Sequence, residues 1–187
     1  MALKAIIHKA QIQLSDMDRN VYRDLSVTIA RHPSETDERL MVRLLALALH
    51  APGSADECPL ELAKDLWEPD EPSLWRRDAT GRITHWIDLG QPDEKRLIRA
   101  SARVDQVSVY TFQTNALAWW KDLENRLSRL RHLTVWHIPA AQSQGLAALV
   151  QRTMVLQVTV QDGSVWVGDD HQSVEITLQR LRGPTED

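Results

Sequence analysis

Three acidic side chains lie at positions from which they could hold a divalent cation. Asp88 sits in the apolar, strand-like run RITHWIDL, shortly before Gly90, and Asp70 follows a proline in EPDEP. Glu38 heads the apolar face of a helical segment. Carboxylate oxygens are ligands that Mg²⁺ prefers, and a carboxylate inside a sheet is costly unless it is paired or binds a cation. The sequence therefore predicts a Mg²⁺ site, in which Mn²⁺ can substitute, formed by Glu38, Asp70 and Asp88.

A predicted β-hairpin positions two of these acids. The tripeptide ATG is expected to form the turn between SLWRRD and RITHWIDLG, so Asp70 precedes the hairpin and Asp88 ends its second strand. Alternation along that strand places Trp86 and Asp88 on one face and His85 on the other. Open α/β sheets usually carry their sites at the C-terminal ends of strands, which is where Asp88 is expected.

Each acid also has a purely structural explanation. Ser34 is a plausible N-cap of a helix that runs to about His50, so Glu38 can be a first-turn acid that interacts with the helix dipole. Asp88 can accept hydrogen bonds from the first amides of the next helix. Asp70 can be a surface residue of a proline-rich, acidic loop. The residues alone leave these alternatives open.

The helix predicted after the hairpin carries cations. Its segment is QPDEKRLIRASARV, and Pro92 suits the first helical position. Lys95, Arg99 and Arg103 recur at four-residue intervals and form a stripe, with Arg96 beside it. Such a stripe can contact phosphates, or it can be an ordinary solvated helix face.

The remaining patterns predict an α/β (α+β) fold, in which a mixed β-sheet is flanked by helices and extended by N- and C-terminal β-hairpins. Alternation of strands and helices in the middle of the chain implies parallel strands with right-handed crossovers. The whole chain, 1–187, is expected to be one domain. Besides those above, the predicted elements are strands 2–14 and 21–31, a short helix at PLELAKDL, strands VSVYTF and LTVWHI, helices 114–130 and AAQSQGLAALVQ, the hairpin RTMVLQVTVQDGSVWVGDD and a last strand SVEITLQRL.

Composition narrows the functional classes. The chain has 187 residues, 43% hydrophobic and 26% charged, which is typical of a folded globular protein. Its net charge of −4 means that binding to nucleic acid requires a local basic patch. Cys58, the single cysteine, cannot form an internal disulfide, so a cytoplasmic location is expected. No apolar run approaches the ~20 residues that span a bilayer, so no membrane association is expected.

Together these features resemble the PD-(D/E)xK nuclease superfamily, and more closely the YaeQ family of small bacterial proteins. The segments that carry the resemblance are ALKAIIHKA, ARHPSETDERLMVRLLA, DEPSLW, HWIDLGQPDEKRL and RTMVLQVTVQDGSVWVGDD. The resemblance implies a variant of the nuclease core. It also implies metal-dependent hydrolysis of phosphodiester bonds in nucleic acid, with Glu38, Asp70 and Asp88 around the metal.

The chain departs from the superfamily pattern at one position. The pattern has a lysine two residues after the strand acid, whereas two residues after Asp88 stands Gly90. Lys95 or Arg96 would then have to stabilise the developing charge, and Gln91 could position water. The alternative is a catalytically inactive module on the same fold that binds a protein or nucleic-acid partner.

Overall fold

Two β-sheets enclose the first helix of the chain. The computed structural model describes residues 4–184. Helix α1, Asp37–Leu49, is buried from Leu40 to Ala48, since apolar side chains occupy nearly its whole circumference. Its side chains join those of both sheets in the larger of two hydrophobic clusters. The core between the sheets is therefore built around α1.

The two ends of the chain form a five-stranded sheet with the order β10-β9-β8-β1-β2. The predicted N-terminal strands are confirmed, and β1 pairs antiparallel with β2 and parallel with β8. The expectation of one mixed sheet was wrong: the N- and C-terminal hairpins pair with each other and form a separate sheet. The strands are β1 Ile6–Asp16, β2 Val21–Arg31, β8 Thr153–Gln161, β9 Ser164–Gly168 and β10 Ser173–Thr177.

The middle of the chain forms a six-stranded sheet with the order β11-β7-β6-β5-β4-β3. Strands β5, β6 and β7 are parallel, as the alternation of strands and helices predicts, and the outer pairs are antiparallel. The strands are β3 Leu60–Leu62, β4 Leu74–Arg77, β5 Ile83–Leu89, β6 Gln106–Thr111, β7 Leu133–His137 and β11 Gln179–Arg182.

Three further helices cover the sheets. Helices α2, Glu94–Ser101, and α3, Ala116–Leu123, pack on the outer face of the six-stranded sheet, where Trp86, Leu97 and Trp120 belong to the second hydrophobic cluster. Helix α4, Ala140–Ala147, packs against α1. Among residues 4–184, no helix is both long and apolar enough to cross a membrane.

Several predicted boundaries were wrong. The segment PLELAKDL forms strand β3 and a 3₁₀ turn at Asp65–Trp67 instead of a helix. The helix predicted over 114–130 ends at Leu123, and SVEITLQRL divides into two strands that belong to different sheets. Helix α1 is capped by Thr36, and α2 by Asp93, in place of the predicted starts at Ser34 and Pro92. In both helices the cap side chain accepts a backbone N–H three residues on.

Candidate functional site

An ion pair between Asp88 and Arg96 lies at the C-terminal end of β5. The buried Asp88 carboxylate accepts hydrogen bonds from Arg96 Nε at 2.7 Å and Nη2 at 2.9 Å. The same guanidinium donates to the carbonyls of Pro69 and Glu71 and lies over the Trp86 ring, 5.5 Å from its centroid. The hydrogen bonds that Arg96 donates to Asp88 raise the pKa of Arg96. Arg96 therefore joins α2, β5 and the loop before β4.

The chain turns sharply between the two partners of this pair. Gly90 has a φ of +89°, and its amide donates to the Tyr110 carbonyl at 2.8 Å. A Cβ at this position would lie 3.2 Å from Nε2 of Gln113. Residues with a side chain also rarely adopt the positive φ of position 90. The turn lets α2 begin at its Asp93 cap, so that Arg96 faces back towards β5. The positive φ of this turn therefore favours glycine at position 90.

A second group of buried charges lies beside the pair. Asp65, in the 3₁₀ turn, accepts hydrogen bonds from Arg39 Nη1 at 2.6 Å and Nη2 at 2.7 Å, and from Ser73 at 2.9 Å. Glu35 accepts from Arg39 at 2.9 Å and from Arg43 at 2.8 Å. We call Glu35, Arg39, Arg43, Asp65, Asp88 and Arg96 together the charge cluster.

The pKa shifts in the charge cluster follow from burial and from these pairs. Burial acts to raise the pKa of Asp65, but the hydrogen bonds and charges of Arg39 and Arg43 outweigh it, and the pKa is lowered. Burial acts to lower the pKa of Arg39, but Asp65 and Glu35 reverse this and raise it. For Arg43 burial prevails over the same two acids, and its pKa is lowered. The Asp65–Arg39 pair therefore stays ionised on both sides at neutral pH.

Two cavities meet at Arg96. The inner cleft has a volume of about 290 Å³, and its polar lining includes Arg39, Asp65, Ser73, Asp88, Gln91 and Arg96. The outer pocket has a volume of about 230 Å³ and is lined by Asp70, Trp86, Arg96, Arg99, Ala100 and Arg103. Within residues 4–184, the exposed side chains of Arg99 and Arg103 form no hydrogen bond or ion pair. The inner cleft thus has its charges paired, and the outer pocket presents cations without partners.

Known proteins share this sequence and this architecture. A family model described as YaeQ protein matches residues 1–178. The chain belongs to the YaeQ family. The YaeQ protein of Escherichia coli strain K12 is 40% identical over 186 residues, which cover 99% of this chain and 100% of that protein. The Salmonella typhi YaeQ protein is 39% identical over the same coverage of both chains.

Two solved YaeQ structures match the model closely. The crystal structure of YaeQ from Xanthomonas axonopodis pv. citri has a TM-score of 0.90 and 44% identity, and covers 97% of this chain and 100% of its own. The Pseudomonas syringae YaeQ structure has a TM-score of 0.88 and 34% identity, with 96% and 97% covered. The mixed α+β architecture is therefore that of the YaeQ structures.

The three acids predicted to share a metal do not converge in this YaeQ-family chain. Glu38 accepts a hydrogen bond from the Ser143 hydroxyl, on the side of α1 that packs against α4. Asp70 is exposed and lines the outer pocket, while Asp88 is held by Arg96. Among residues 4–184, no group of three or more His, Cys, Asp or Glu side chains could hold a metal ion. The structure therefore does not bring Glu38, Asp70 and Asp88 together, and metal binding by these acids stays a prediction.

The other predicted residues separate into members and non-members of the site. Arg96 reaches back to Asp88, but Lys95 is exposed and lines neither cavity. The basic stripe therefore runs through positions 96, 99 and 103, because Arg96 faces β5 while Lys95 faces α3. Gln91 lines the inner cleft, and its Nε2 donates to Asn115 Oδ1 at 2.7 Å.

Sequence reasoning missed five members of the site. Glu35, Arg39 and Arg43 are spaced four residues apart, and this spacing alone indicates ion pairs along one helix face. Arg39, on this face, lines the inner cleft. Asp65 and Ser73 carry no comparable local signal, since they meet Arg39 only through the packing of α1 against the hairpin.

The charge cluster does not fit the Mg²⁺ or Mn²⁺ that the superfamily resemblance implies. Magnesium requires several free oxygen ligands in near-octahedral geometry at about 2.1 Å. Here the carboxylates of Glu35, Asp65 and Asp88 each accept at least two hydrogen bonds from guanidinium groups or neighbouring donors. Guanidinium groups thus occupy the positions around these oxygens that metal coordination would need.

Proposed function

We propose that the chain is a nuclease-like protein that binds the phosphate backbone of nucleic acid at the outer pocket and does not cleave it by metal-dependent chemistry. One observation carries this proposal. The carboxylates of the charge cluster are neutralised by arginine, whereas Arg99 and Arg103 have no ion-pair partner in the part of the chain that the structure describes.

The order of elements supports membership of the PD-(D/E)xK nuclease superfamily. Helix α1 precedes the β4–β5 hairpin, and α2, β6, α3 and β7 follow, with β5, β6 and β7 parallel. Asp88 stands on the second strand of the hairpin, where that superfamily carries an acid. In this proposal the fold has kept the place of the old metal site and filled it with an arginine.

The outer pocket has the chemistry of a phosphate contact. Arg96 and Arg99 lie on α2 and Arg103 lies two residues beyond its end, and the seven steps from 96 to 103 cover about 10 Å at the rise of an α-helix. Phosphates of one B-DNA strand are about 3.4 Å apart along the axis, so this row spans more than one phosphate. The Trp86 indole N–H is buried in the wall without a hydrogen-bond partner. Asp70 is the one acid in the lining.

Salt-dependent binding tests the proposal. Fluorescence anisotropy of a labelled oligonucleotide in EDTA, repeated at several salt concentrations, measures the affinity and its salt slope. The variant Arg99→Ala/Arg103→Ala should bind more weakly, with a log–log salt slope smaller by about 2, because each phosphate contact contributes about one unit. The control Arg23→Ala/Arg152→Ala removes the same charge from exposed positions at the five-stranded sheet and should bind as the wild type does.

Three results would overturn the proposal. Equal weakening in the two double variants would mean that the pocket has no special part in binding. Cleavage of the oligonucleotide in Mg²⁺ or Mn²⁺ that Asp88→Asn abolishes would establish the metal-dependent nuclease instead. Absence of nucleic-acid binding at low salt would leave a protein partner as the ligand of this fold.

A further inference from the structure

A third cavity lies against the six-stranded sheet, at the end of the parallel strands that is opposite to Asp88. It has a volume of about 300 Å³ and adjoins the first halves of the parallel strands, away from Asp88. His85, Ser108 and Thr134 contribute to its wall from the neighbouring strands β5, β6 and β7. We call it the basic cavity.

Positive charge exceeds negative charge in this cavity. Three guanidinium groups, those of Arg19, Arg76 and Arg180, line it together with a single carboxylate, Glu57. Glu57 pairs with Arg76. Arg19 pairs with Asp16, at 2.6 Å. Arg180 is exposed and has no ion-pair or hydrogen-bond partner within residues 4–184. One of the three guanidinium groups, that of Arg180, is therefore left without a balancing carboxylate among residues 4–184.

The wall also holds buried nitrogen atoms without partners. His85 is 4% exposed, and its Nε2 lies 2.8 Å from the Ser108 hydroxyl, while its Nδ1 has no partner. With the hydroxyl donating to Nε2, Nδ1 carries the proton and is a free donor. Nε of Arg76 is likewise buried and unpaired. In this tautomer of His85, the wall of the cavity contains two nitrogen donors that no group among residues 4–184 accepts.

Two histidines of this region, His50 and His85, stay neutral at pH 7. Burial, with the neighbouring charge of Arg76, lowers the pKa of His85 to about 4. Burial, His85 and the arginines lower the pKa of His50 well below its ordinary value. His50 Nε2 lies 2.8 Å from the Tyr110 hydroxyl, and its ring lies 4.9 Å from that of His85. The excess charge of the cavity therefore comes from its arginines alone.

We infer that the basic cavity binds a small molecule that carries one phosphate group. A phosphate monoester carries about two negative charges at neutral pH, so it can pair with the unpaired Arg180 and also interact with the guanidinium groups of Arg19 and Arg76 in the wall. The volume lies at the lower end of the range for small-molecule sites and exceeds the size of a bare phosphate. The half-buried Trp136 supplies an apolar wall for the rest of the molecule. This inference does not depend on the nucleic-acid proposal, because the two sites share no lining residue.

Calorimetric titration of the full chain tests the inference, with inorganic phosphate, adenosine monophosphate and succinate as separate probes. Both phosphates should bind, the monophosphate at least 5-fold more tightly, and succinate should bind at least 10-fold more weakly than the monophosphate. Arg180→Ala should weaken binding of the monophosphate at least 5-fold. Ser108→Ala, which removes the partner of His85 Nε2, should weaken it as well. Arg152→Ala, an exposed charge outside the cavity, should leave it unchanged.

The alternatives give distinct results. No heat change with either phosphate at millimolar concentration overturns the inference. Equal weakening by Arg180→Ala and Arg152→Ala overturns it in favour of non-specific attraction. Tighter binding of succinate than of the monophosphate shows that the site is selective for carboxylates, and this too overturns it.

Discussion

The charge cluster lies at the C-terminal end of β5, and the basic cavity lies beside the first halves of the parallel strands. The two regions differ in how their buried charged groups are paired. In the charge cluster three acids face three arginines, and Asp88 and Asp65 each accept two hydrogen bonds from one guanidinium. In the basic cavity three arginines line the wall with one acid, and His85 keeps an unpaired nitrogen. In the first arrangement every carboxylate is paired with an arginine, although Nε of Arg43 has no partner among residues 4–184. The second leaves charge and donors for a molecule from outside.

This contrast changes how an acidic cleft is interpreted. An acid at the end of a strand is compatible with both a metal site and a structural ion pair, and only its neighbours distinguish the two. At Asp88 the neighbour is a guanidinium that also holds the Pro69 and Glu71 carbonyls. A cation with that many structural contacts is costly to displace, since breaking a buried pair leaves a charge without compensation.

The largest expected effect is on the stability that the charge cluster provides. Arg39→Met should lower the free energy of unfolding by about 3–5 kcal/mol, because it removes both guanidinium hydrogen bonds to the buried Asp65 and one of the two ion pairs of Glu35. Arg180→Ala, in the basic cavity, should change it by less than about 0.5 kcal/mol, since that side chain is exposed. Urea unfolding followed by circular dichroism at pH 7 measures both. A loss below about 1 kcal/mol for Arg39→Met would contradict the interpretation that the ion pairs of the charge cluster stabilise the fold.

The next effect distinguishes the two regions by pH. The unfolded chain protonates His85 near pH 6.5 and the folded chain only near 4, so stability falls as pH drops through this window. That shift corresponds to about 3 kcal/mol at 1.36 kcal/mol per unit. Asp65, whose pKa is lowered below 3.8, adds stability that is lost only at still lower pH.

Urea unfolding at pH 7.5, 5.5 and 4, in buffers without phosphate, checks this prediction. His85→Gln should flatten the loss of stability between pH 6.5 and 4, and the exposed His171→Gln should leave it as in the wild type. An unchanged slope in His85→Gln would show that His85 is not the source of the acid sensitivity.

The smallest effects compare two adjacent cations on α2. Arg96→Lys keeps the charge but loses the paired hydrogen bonds to Asp88, so the free energy of unfolding should fall by about 1–2 kcal/mol. Lys95→Ala should change it by less than about 0.5 kcal/mol and leave oligonucleotide binding unchanged. Thermal and urea unfolding of the two variants, side by side, measure the difference. Equal effects of Arg96→Lys and Lys95→Ala on the free energy of unfolding would mean that Lys95 belongs to the site.

The helices and strands near the site could be largely predicted from local sequence. Period-two alternation identified β1, β2 and β5, and it placed Trp86 and Asp88 on the face opposite His85. The cation expected in place of the lysine of the nuclease pattern was predicted to be one of two adjacent residues. Helical geometry places both in the first turn of α2. The choice of Asp70 failed because a proline–acid pair in a loop has no periodicity from which its direction can be predicted.

The sequence by itself determined the elements, the family and the presence of acids beside a basic helix, because these depend on short-range periodicity, turn chemistry and composition. Only the tertiary structure decided which charges meet. Glu38 faces α4, Asp65 pairs with Arg39, and Asp88 pairs with Arg96. The partners of a buried charge are set by how helices and sheets pack across long sequence separations. The same packing formed the basic cavity, whose histidines and arginines come from segments spread over most of the chain.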